Sequence, residues 1–103
     1  MSSTVKISLP KEKIQDFCRR HHIRKLAVFG SVLRDDFRSE SDIDVLVEFD
    51  PNHTPGFIGL HEMERELSRL VGGRKIDLVT AKFLNPRIRE RVLATAEVQY
   101  AEG

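Results

Sequence analysis

The stretch that decides the fold covers residues 26–49 and reads LAVFGSVLRDDFRSESDIDVLVEF. Its first four residues form an apolar run that stops at Gly30-Ser31, which is typical of a buried strand followed by a turn. Its last seven residues, Ile43–Phe49, are rich in β-branched side chains and predict a second strand. The segment between the two strands is polar and turn-rich, with one short helical turn after Ser31. Two strands are therefore joined by a polar connection.

The rest of the chain alternates between helical and strand patterns. The sequence predicts helices over 11–21, 57–71 and 85–96 and a third strand over 75–79. Residues 98–100 are either a terminal strand or an extended tail, and residues 1–9 form a short leader with strand-like alternation. This order predicts one small α/β or α+β domain over 1–103, in which helices flank a β-sheet of three to four strands.

Composition excludes several classes of protein. The chain has 103 residues and a formal net charge of +1, so a general attraction to nucleic acid or to an anionic membrane is not expected. Its single cysteine, Cys18, excludes an internal disulfide and lies in an apolar helical stripe, so we interpret it as a core residue. No apolar run approaches the length of a membrane span, and we expect a cytoplasmic protein.

Asp42 and Asp44 open the second strand. Because side chains alternate along a strand, the two carboxylates point to the same side, within about 7 Å of each other. Adjacent carboxylates repel unless a positive charge lies between them, and hard oxygen ligands suit Mg²⁺. A polar strand entry without metal is the alternative interpretation.

Asp77 stands among apolar residues in the third predicted strand. We expect that strand to be mostly buried, where an isolated carboxylate needs a partner. If the strand lies beside the second one, Asp77 converges with Asp42 and Asp44 on one site. The alternative is an ordinary charge at a strand end, paired with Lys75 or Arg74.

Gly30-Ser31 supplies the other half of a candidate site. A glycine at a strand end allows close approach of a ligand to the backbone, and the amides after it and the Ser31 hydroxyl suit phosphate oxygens. Arg34 lies within reach of the same phosphates, although a solvated loop arginine is nearly as good an interpretation. Without Asp42 at this distance, Gly30-Ser31 would indicate only a strand-to-turn junction.

Other charged residues carry weaker signals. The four histidines lack metal-ligand spacing and are interpreted as surface or packing residues. The last predicted helix carries Arg87, Arg89 and Arg91, which favour a solvated face over a contact with a partner or with phosphates.

The pattern Gly-Ser, ten residues, then Asp-Ile-Asp-Val resembles the nucleotidyltransferase superfamily that includes DNA polymerase beta. With Arg34 after Gly30-Ser31 and this short length, the chain is most similar to the minimal nucleotidyltransferases, of the MntA type found in HEPN/MNT toxin–antitoxin pairs. The resemblance covers about residues 14–100. One departure is Asp35-Asp36, where many relatives have glycine directly after the arginine.

The resemblance implies a nucleotidyltransferase fold with a small mixed sheet. It also implies catalytic and metal-binding roles for Asp42, Asp44 and Asp77, and nucleotide-binding roles for Gly30, Ser31 and Arg34. Two Mg²⁺ ions and ATP would serve transfer of AMP to a tyrosine of a helical HEPN toxin. The chain would then be the antitoxin of a type VII-like pair and form a hetero-oligomer with that toxin.

Two other functions stay open on the residues. One is an antitoxin that neutralises its HEPN partner by binding alone, which Asp35-Asp36 mildly favours because two more negative charges stand beside the triphosphate. The other is transfer to a small molecule such as an aminoglycoside, which the short length disfavours. Direct contact with nucleic acid or with a membrane is not expected.

Overall fold

The structure is a computed structural model and describes residues 9–30, 42–81 and 84–102. Its helices are α1 (Lys11–Arg20), α2 (Phe57–Leu70) and α3 (Pro86–Thr95), and its strands are β1 (Ile23–Phe29), β2 (Ile43–Phe49), β3 (Ile76–Thr80) and β4 (Glu97–Ala101). A short 3₁₀ helix, Pro51–His53, follows β2. The predicted leader before Leu9 and the predicted helical turn after Ser31 lie outside the described residues.

The four strands form one mixed sheet in the order β3-β2-β1-β4. β1 pairs antiparallel with both β2 and β4, whereas β2 and β3 are parallel and are connected through α2. The predicted fold class is therefore confirmed. The C-terminal segment, for which the sequence left two alternatives open, is a strand that pairs with β1 and lies at the edge of the described sheet.

Element boundaries differ from the predictions by a few residues. β1 begins at Ile23, earlier than the apolar run indicates, because its first residues alternate around a β-bulge between Ile23 and Lys25 that keeps Ile23 in the core. α3 begins where Asn85-Pro86 predicts, since the Asn85 side chain accepts a hydrogen bond from the Arg87 amide at 2.9 Å. Local capping and bulges thus account for the observed ends.

One face of the sheet carries the hydrophobic core, against which α1 and α2 pack. The core members contributed by the two helices and by β2 are almost completely buried: Ile14, Phe17, Cys18, Met63, Leu67, Ile43, Val45 and Val47. Burial raises the pKa of the Cys18 thiol to about 12, so this residue is neutral and confirmed as a core side chain. None of the described helices has the length and apolar character that a membrane crossing requires.

The other face of the sheet carries the polar positions of β2. Asp44 and Glu48 lie on this face, and Leu46 lies between them. Leu46, Ala27 and Leu93 of α3 line a mostly apolar hollow of about 330 Å³, which extends to Phe57 at the start of α2. Farther along the same strands, the face that bears Asp44 is therefore largely apolar, with Lys25 and Glu48 also lining the hollow.

Candidate active site

Gly30 lies directly against the carboxylate of Asp44. Phe29, the last residue of β1, pairs with Asp44, so Gly30 leaves the strand beside that side chain. Gly30 has a φ of +76°, and a β-carbon there would lie 3.3 Å from Asp44 Cγ and closer still to Asp44 Oδ2 than non-bonded atoms approach. The absence of a side chain at Gly30 is thus what allows this position of the Asp44 carboxylate.

Asp44 and Asp77 are brought together by the parallel pairing of β2 and β3. The two residues are direct partners in the register of these strands. Neighbouring strands lie about 4.8 Å apart, and directly paired residues present their side chains on the same face. The predicted convergence of these two carboxylates is therefore present in the sheet, although no local sequence pattern specifies it.

The burial expected for Asp77 is wrong. Asp77 is exposed, because β3 is an edge strand of the described sheet and no described residue covers this position. Within the described ranges no ion pair joins Asp77 to Arg74 or Lys75, which was the alternative interpretation of this residue. Because Asp77 is exposed, the argument from the cost of burying a carboxylate does not apply to it. Asp77 is assigned to the candidate site because it pairs with Asp44 in the sheet.

Asp42 lies one residue before β2 and is exposed. Lys75, which precedes β3, places its Nζ 3.8 Å from Asp42 Oδ2, and the two side chains are 77% and 46% exposed. Lys75, one of the two partners that the alternative interpretation gave to Asp77, thus pairs with Asp42. A pair this exposed adds little to stability, so its effect is a local positive charge beside the carboxylates.

The oxygen donors at this edge are of the kind that Mg²⁺ takes. Among residues 9–30, 42–81 and 84–102, no three carboxylate, histidine or cysteine side chains are close enough together to surround one cation. Mg²⁺, however, commonly uses one or two carboxylates, with water and substrate phosphates completing its octahedron. The neighbouring carboxylates of Asp44 and Asp77 fit that requirement, and the metal role of all three aspartates stays a prediction.

Three predicted features lie outside the described residues: Ser31, Arg34 and the Asp35-Asp36 pair. Their assignment to a nucleotide rests on the sequence alone. The described part of the phosphate-binding half is Gly30, whose backbone turns at a positive φ directly after β1.

Glu64 is a residue that the sequence reading missed. From α2, its Oε2 accepts a hydrogen bond from the backbone amide of Leu78 at 2.8 Å. A signal existed in the sequence, because Glu64 follows Leu60 by four residues and precedes Leu67 by three, which places a charge within the apolar stripe of α2. Leu78, whose amide donates this hydrogen bond, directly follows Asp77.

Comparison with known proteins agrees with this geometry. Residues 12–102 match the family model described as polymerase beta, nucleotidyltransferase. Protein adenylyltransferase MntA of Thermococcus cleftensis is 36% identical over 74 residues, covering 72% of this chain and 72% of the relative. A solved structure provisionally described as a minimal nucleotidyltransferase is 36% identical, with a TM-score of 0.68 over 84% of this chain and 85% of that one.

Two more distant solved structures share the fold. A toxin–antitoxin complex with AMP-PNP has a TM-score of 0.73 at 21% identity, covering 90% of this chain and 74% of that one. An MNT antitoxin in complex with a tri-AMPylated HEPN toxin of Shewanella oneidensis has a TM-score of 0.59 at 20% identity, over 88% and 69% of the two chains. The family match over nearly the whole chain and the paired aspartates beside Gly30 lead to one conclusion: this chain belongs to the polymerase beta nucleotidyltransferase family.

Proposed function

We propose that this nucleotidyltransferase transfers AMP from ATP to a hydroxyl group of a partner protein, a tyrosine of a HEPN-type toxin. The observation that carries the proposal is the placement of Asp44 between Gly30 and Asp77 in the sheet. Relatives named as protein adenylyltransferases and a fold shared with an AMPylated toxin–antitoxin complex support the choice of AMP and of a protein acceptor.

The proposed reaction is a displacement at the α-phosphorus of ATP. The acceptor oxygen forms a new bond to this phosphorus while the bond to the bridging oxygen of the β-phosphate breaks, and pyrophosphate leaves with that electron pair. The hydroxyl proton passes to a carboxylate, a role that we assign to Asp77. Because Asp77 is exposed, it is accessible to a group presented by another molecule.

Asp42, Asp44 and Asp77 would hold Mg²⁺ together with the phosphates. The bound metal would offset negative charge on the phosphate oxygens and on the leaving group. Gly30, Ser31 and Arg34 would position the triphosphate, with Gly30 allowing the close approach of backbone to ligand. Lys75 adds a cation on the same side as Asp42.

Exposed apolar side chains support the assignment of a protein acceptor. Phe57 and Ile58, at the start of α2, are 82% and 79% exposed, and Leu93 of α3 is 50% exposed. Phe57 and Leu93 also line the apolar hollow. Large apolar side chains grouped at a hollow are typical of protein interaction surfaces. We place this protein and its toxin partner in the cytoplasm, a reducing compartment in which a buried, free cysteine such as Cys18 is common.

The test takes the product of the neighbouring open reading frame, which we expect to be a HEPN-type protein, and measures transfer of labelled AMP to the purified protein. We expect Mg²⁺-dependent labelling from ATP carrying radioactive phosphorus at the α-position, release of pyrophosphate, and a mass increase of the HEPN protein by one or more AMP groups. Label from the γ-position should not transfer. Absence of α-label transfer with a folded enzyme and a folded acceptor would contradict the proposal.

Neutralisation by binding alone is the second candidate, and the exposed side chains of Phe57 and Ile58 favour it equally. The folded, inactive variant Asp44→Asn separates the two functions in cells that express the toxin. Rescue by Asp44→Asn at the level of the wild type would show that binding suffices. Loss of rescue, with complex formation retained, would show that transfer is required.

A further inference from the structure

We propose that Glu64 is a positioning residue for Asp77, a role that rests on the proposed function. Glu64 Oε2 accepts the hydrogen bond of the Leu78 amide at 2.8 Å. The Glu64 side chain is only 25% exposed, and Leu78 is buried in the core. The bond therefore attaches the backbone of the residue next to Asp77 to helix α2.

The edge position of β3 explains why such an attachment is needed. β3 has β2 as its neighbour on one side, and on the other side no strand among residues 9–30, 42–81 and 84–102 accepts hydrogen bonds from its outward amides. At Leu78, Glu64 supplies the acceptor that a neighbouring strand would otherwise provide. A carboxylate acceptor forms a stronger hydrogen bond with an amide than water or a neutral group does.

The helix that carries Glu64 is itself firmly placed. Met63 and Leu67, one residue before and three residues after Glu64, are 7% and 2% exposed and belong to the core. At residues 77 and 78, β3 is consequently held by its pairing with β2 on one side and by the hydrogen bond to α2 on the other. Asp77 lies directly opposite Asp44.

Displacements of about 1 Å at a reacting group can lower a rate by about 100-fold. Without the Glu64 carboxylate, the Leu78 amide loses its acceptor on α2, and β3 is held there by its pairing with β2 and by the packing of Leu78 in the core. Asp77 is then less firmly fixed relative to Asp44. Substrate binding through Gly30 would not depend on Glu64. The expected signature is therefore a loss in kcat with little change in the KM for ATP.

The experiment compares Glu64→Gln, Glu64→Leu and Glu64→Ala with the matched control Ser68→Ala. Gln keeps an oxygen acceptor. Leu removes the acceptor but keeps most of the side-chain volume, whereas Ala removes both. Ser68 provides another tie from α2 to backbone, since its Oγ donates to Arg74 O at 2.5 Å, three residues before Asp77. Ser68→Ala removes this hydrogen bond and should destabilise the protein, but it leaves the hydrogen bond between Leu78 and Glu64 in place.

We expect Glu64→Gln to retain kcat within about threefold, and Glu64→Leu and Glu64→Ala to lose at least about tenfold, with the KM for ATP changed by less than about twofold. Ser68→Ala should lower the melting temperature and leave kcat unchanged below it. A normal kcat in Glu64→Leu would overturn the proposal. Equal losses of kcat in Ser68→Ala would overturn it as well, because they would reflect general destabilisation.

A second measurement does not depend on activity. Hydrogen exchange of the Leu78 amide should accelerate in Glu64→Leu and stay slow in Glu64→Gln, and the carboxyl ¹³C shift of Asp77 should move only in the former. If the wild type transfers no AMP, the proposed function fails, and these signals still decide whether Glu64 positions Asp77. An unchanged Asp77 signal in Glu64→Leu would refute the positioning role.

Discussion

The carboxylate of Asp44 occupies space that a side chain on Gly30 would need, since a β-carbon at Gly30 would lie 3.3 Å from Asp44 Cγ. Phe29 and Asp44 are partners in the sheet, so this contact belongs to the strand pairing itself. Gly30 and Asp44 are therefore sterically coupled. The Asp44 carboxylate can occupy this position because Gly30 has no side chain.

Gly30→Ala should reduce activity far more than its cost in stability explains. The positive φ costs an alanine about 1–2 kcal/mol, and the new methyl group must displace the Asp44 carboxylate. We expect at least about a 100-fold loss in kcat, measured by AMP transfer below the melting temperature. Gly72→Ala is the matched control, because Gly72 has a φ of +79° and no atom within 4 Å of an added β-carbon. Similar activity in the two variants would disprove the steric coupling.

Asp44→Asn and Asp42→Asn should each abolish transfer while the protein remains folded. The substitution preserves size and removes the negative charge that a cation needs, and neither side chain contributes to the apolar core. Far-ultraviolet circular dichroism checks the fold and α-labelled ATP checks transfer. Undiminished transfer by either variant would remove that aspartate from the site.

Lys75→Ala should change the free energy of unfolding by no more than about 0.5 kcal/mol, because its ion pair with Asp42 is exposed. The measurement is urea denaturation at low and at high salt, with the difference between the proteins shrinking as salt rises. A loss several times larger would mean that the pair is part of the structural framework and does not only supply local charge.

Acid should destabilise the contact between α1 and α2 through Glu66. Partial burial alone would raise the pKa of Glu66, but hydrogen bonds from Arg20 and His21 outweigh it and hold this pKa below the ordinary value of 4.5. A carboxylate whose pKa is lower in the folded state contributes stability above its unfolded pKa and loses that contribution as pH falls through the folded value. We therefore expect Glu66→Gln to be less stable than the wild type near neutral pH, with the difference diminishing below about pH 4.5.

Chemical denaturation at several pH values measures this effect. The variant Asp16→Asn is the control, because Asp16 also pairs with Arg20 but is 68% exposed and lies on the same helix. It should show a smaller difference at every pH. A stability difference for Glu66→Gln that stays constant down to pH 3 would contradict the role of the Glu66 charge.

Asn85→Ala should lower the free energy of unfolding by about 1 kcal/mol, because Asn85 Oδ1 accepts a hydrogen bond from the Arg87 amide in the first turn of α3. Asn85→Asp, which also caps helices well, should restore stability. Thermal denaturation followed by circular dichroism compares them. A fully stable Asn85→Ala protein would show that this cap contributes nothing to the fold.

Much of the fold follows from local patterns. The apolar stripe of Ile14, Phe17 and Cys18 predicts the buried face of α1, and it is buried as expected. The alternation of Ile43 and Val45 with Asp44 separates a core face from a carboxylate face within β2. These features depend on the 3.6-residue and two-residue periods of single elements, and such periods are legible in a sequence.

Only the tertiary structure decided which strands are neighbours and which strand lies at an edge. The pairing of Asp44 with Asp77 depends on a parallel register between strands separated by α2, and the exposure of Asp77 depends on the edge position of β3 among the described strands. The bond from Glu64 to Leu78 depends on where α2 packs. Side-chain alternation within a strand is a local property, whereas register, edges and helix placement minimise the free energy of the whole core. The sequence alone therefore predicts the aspartates, and the assembled sheet determines how they meet.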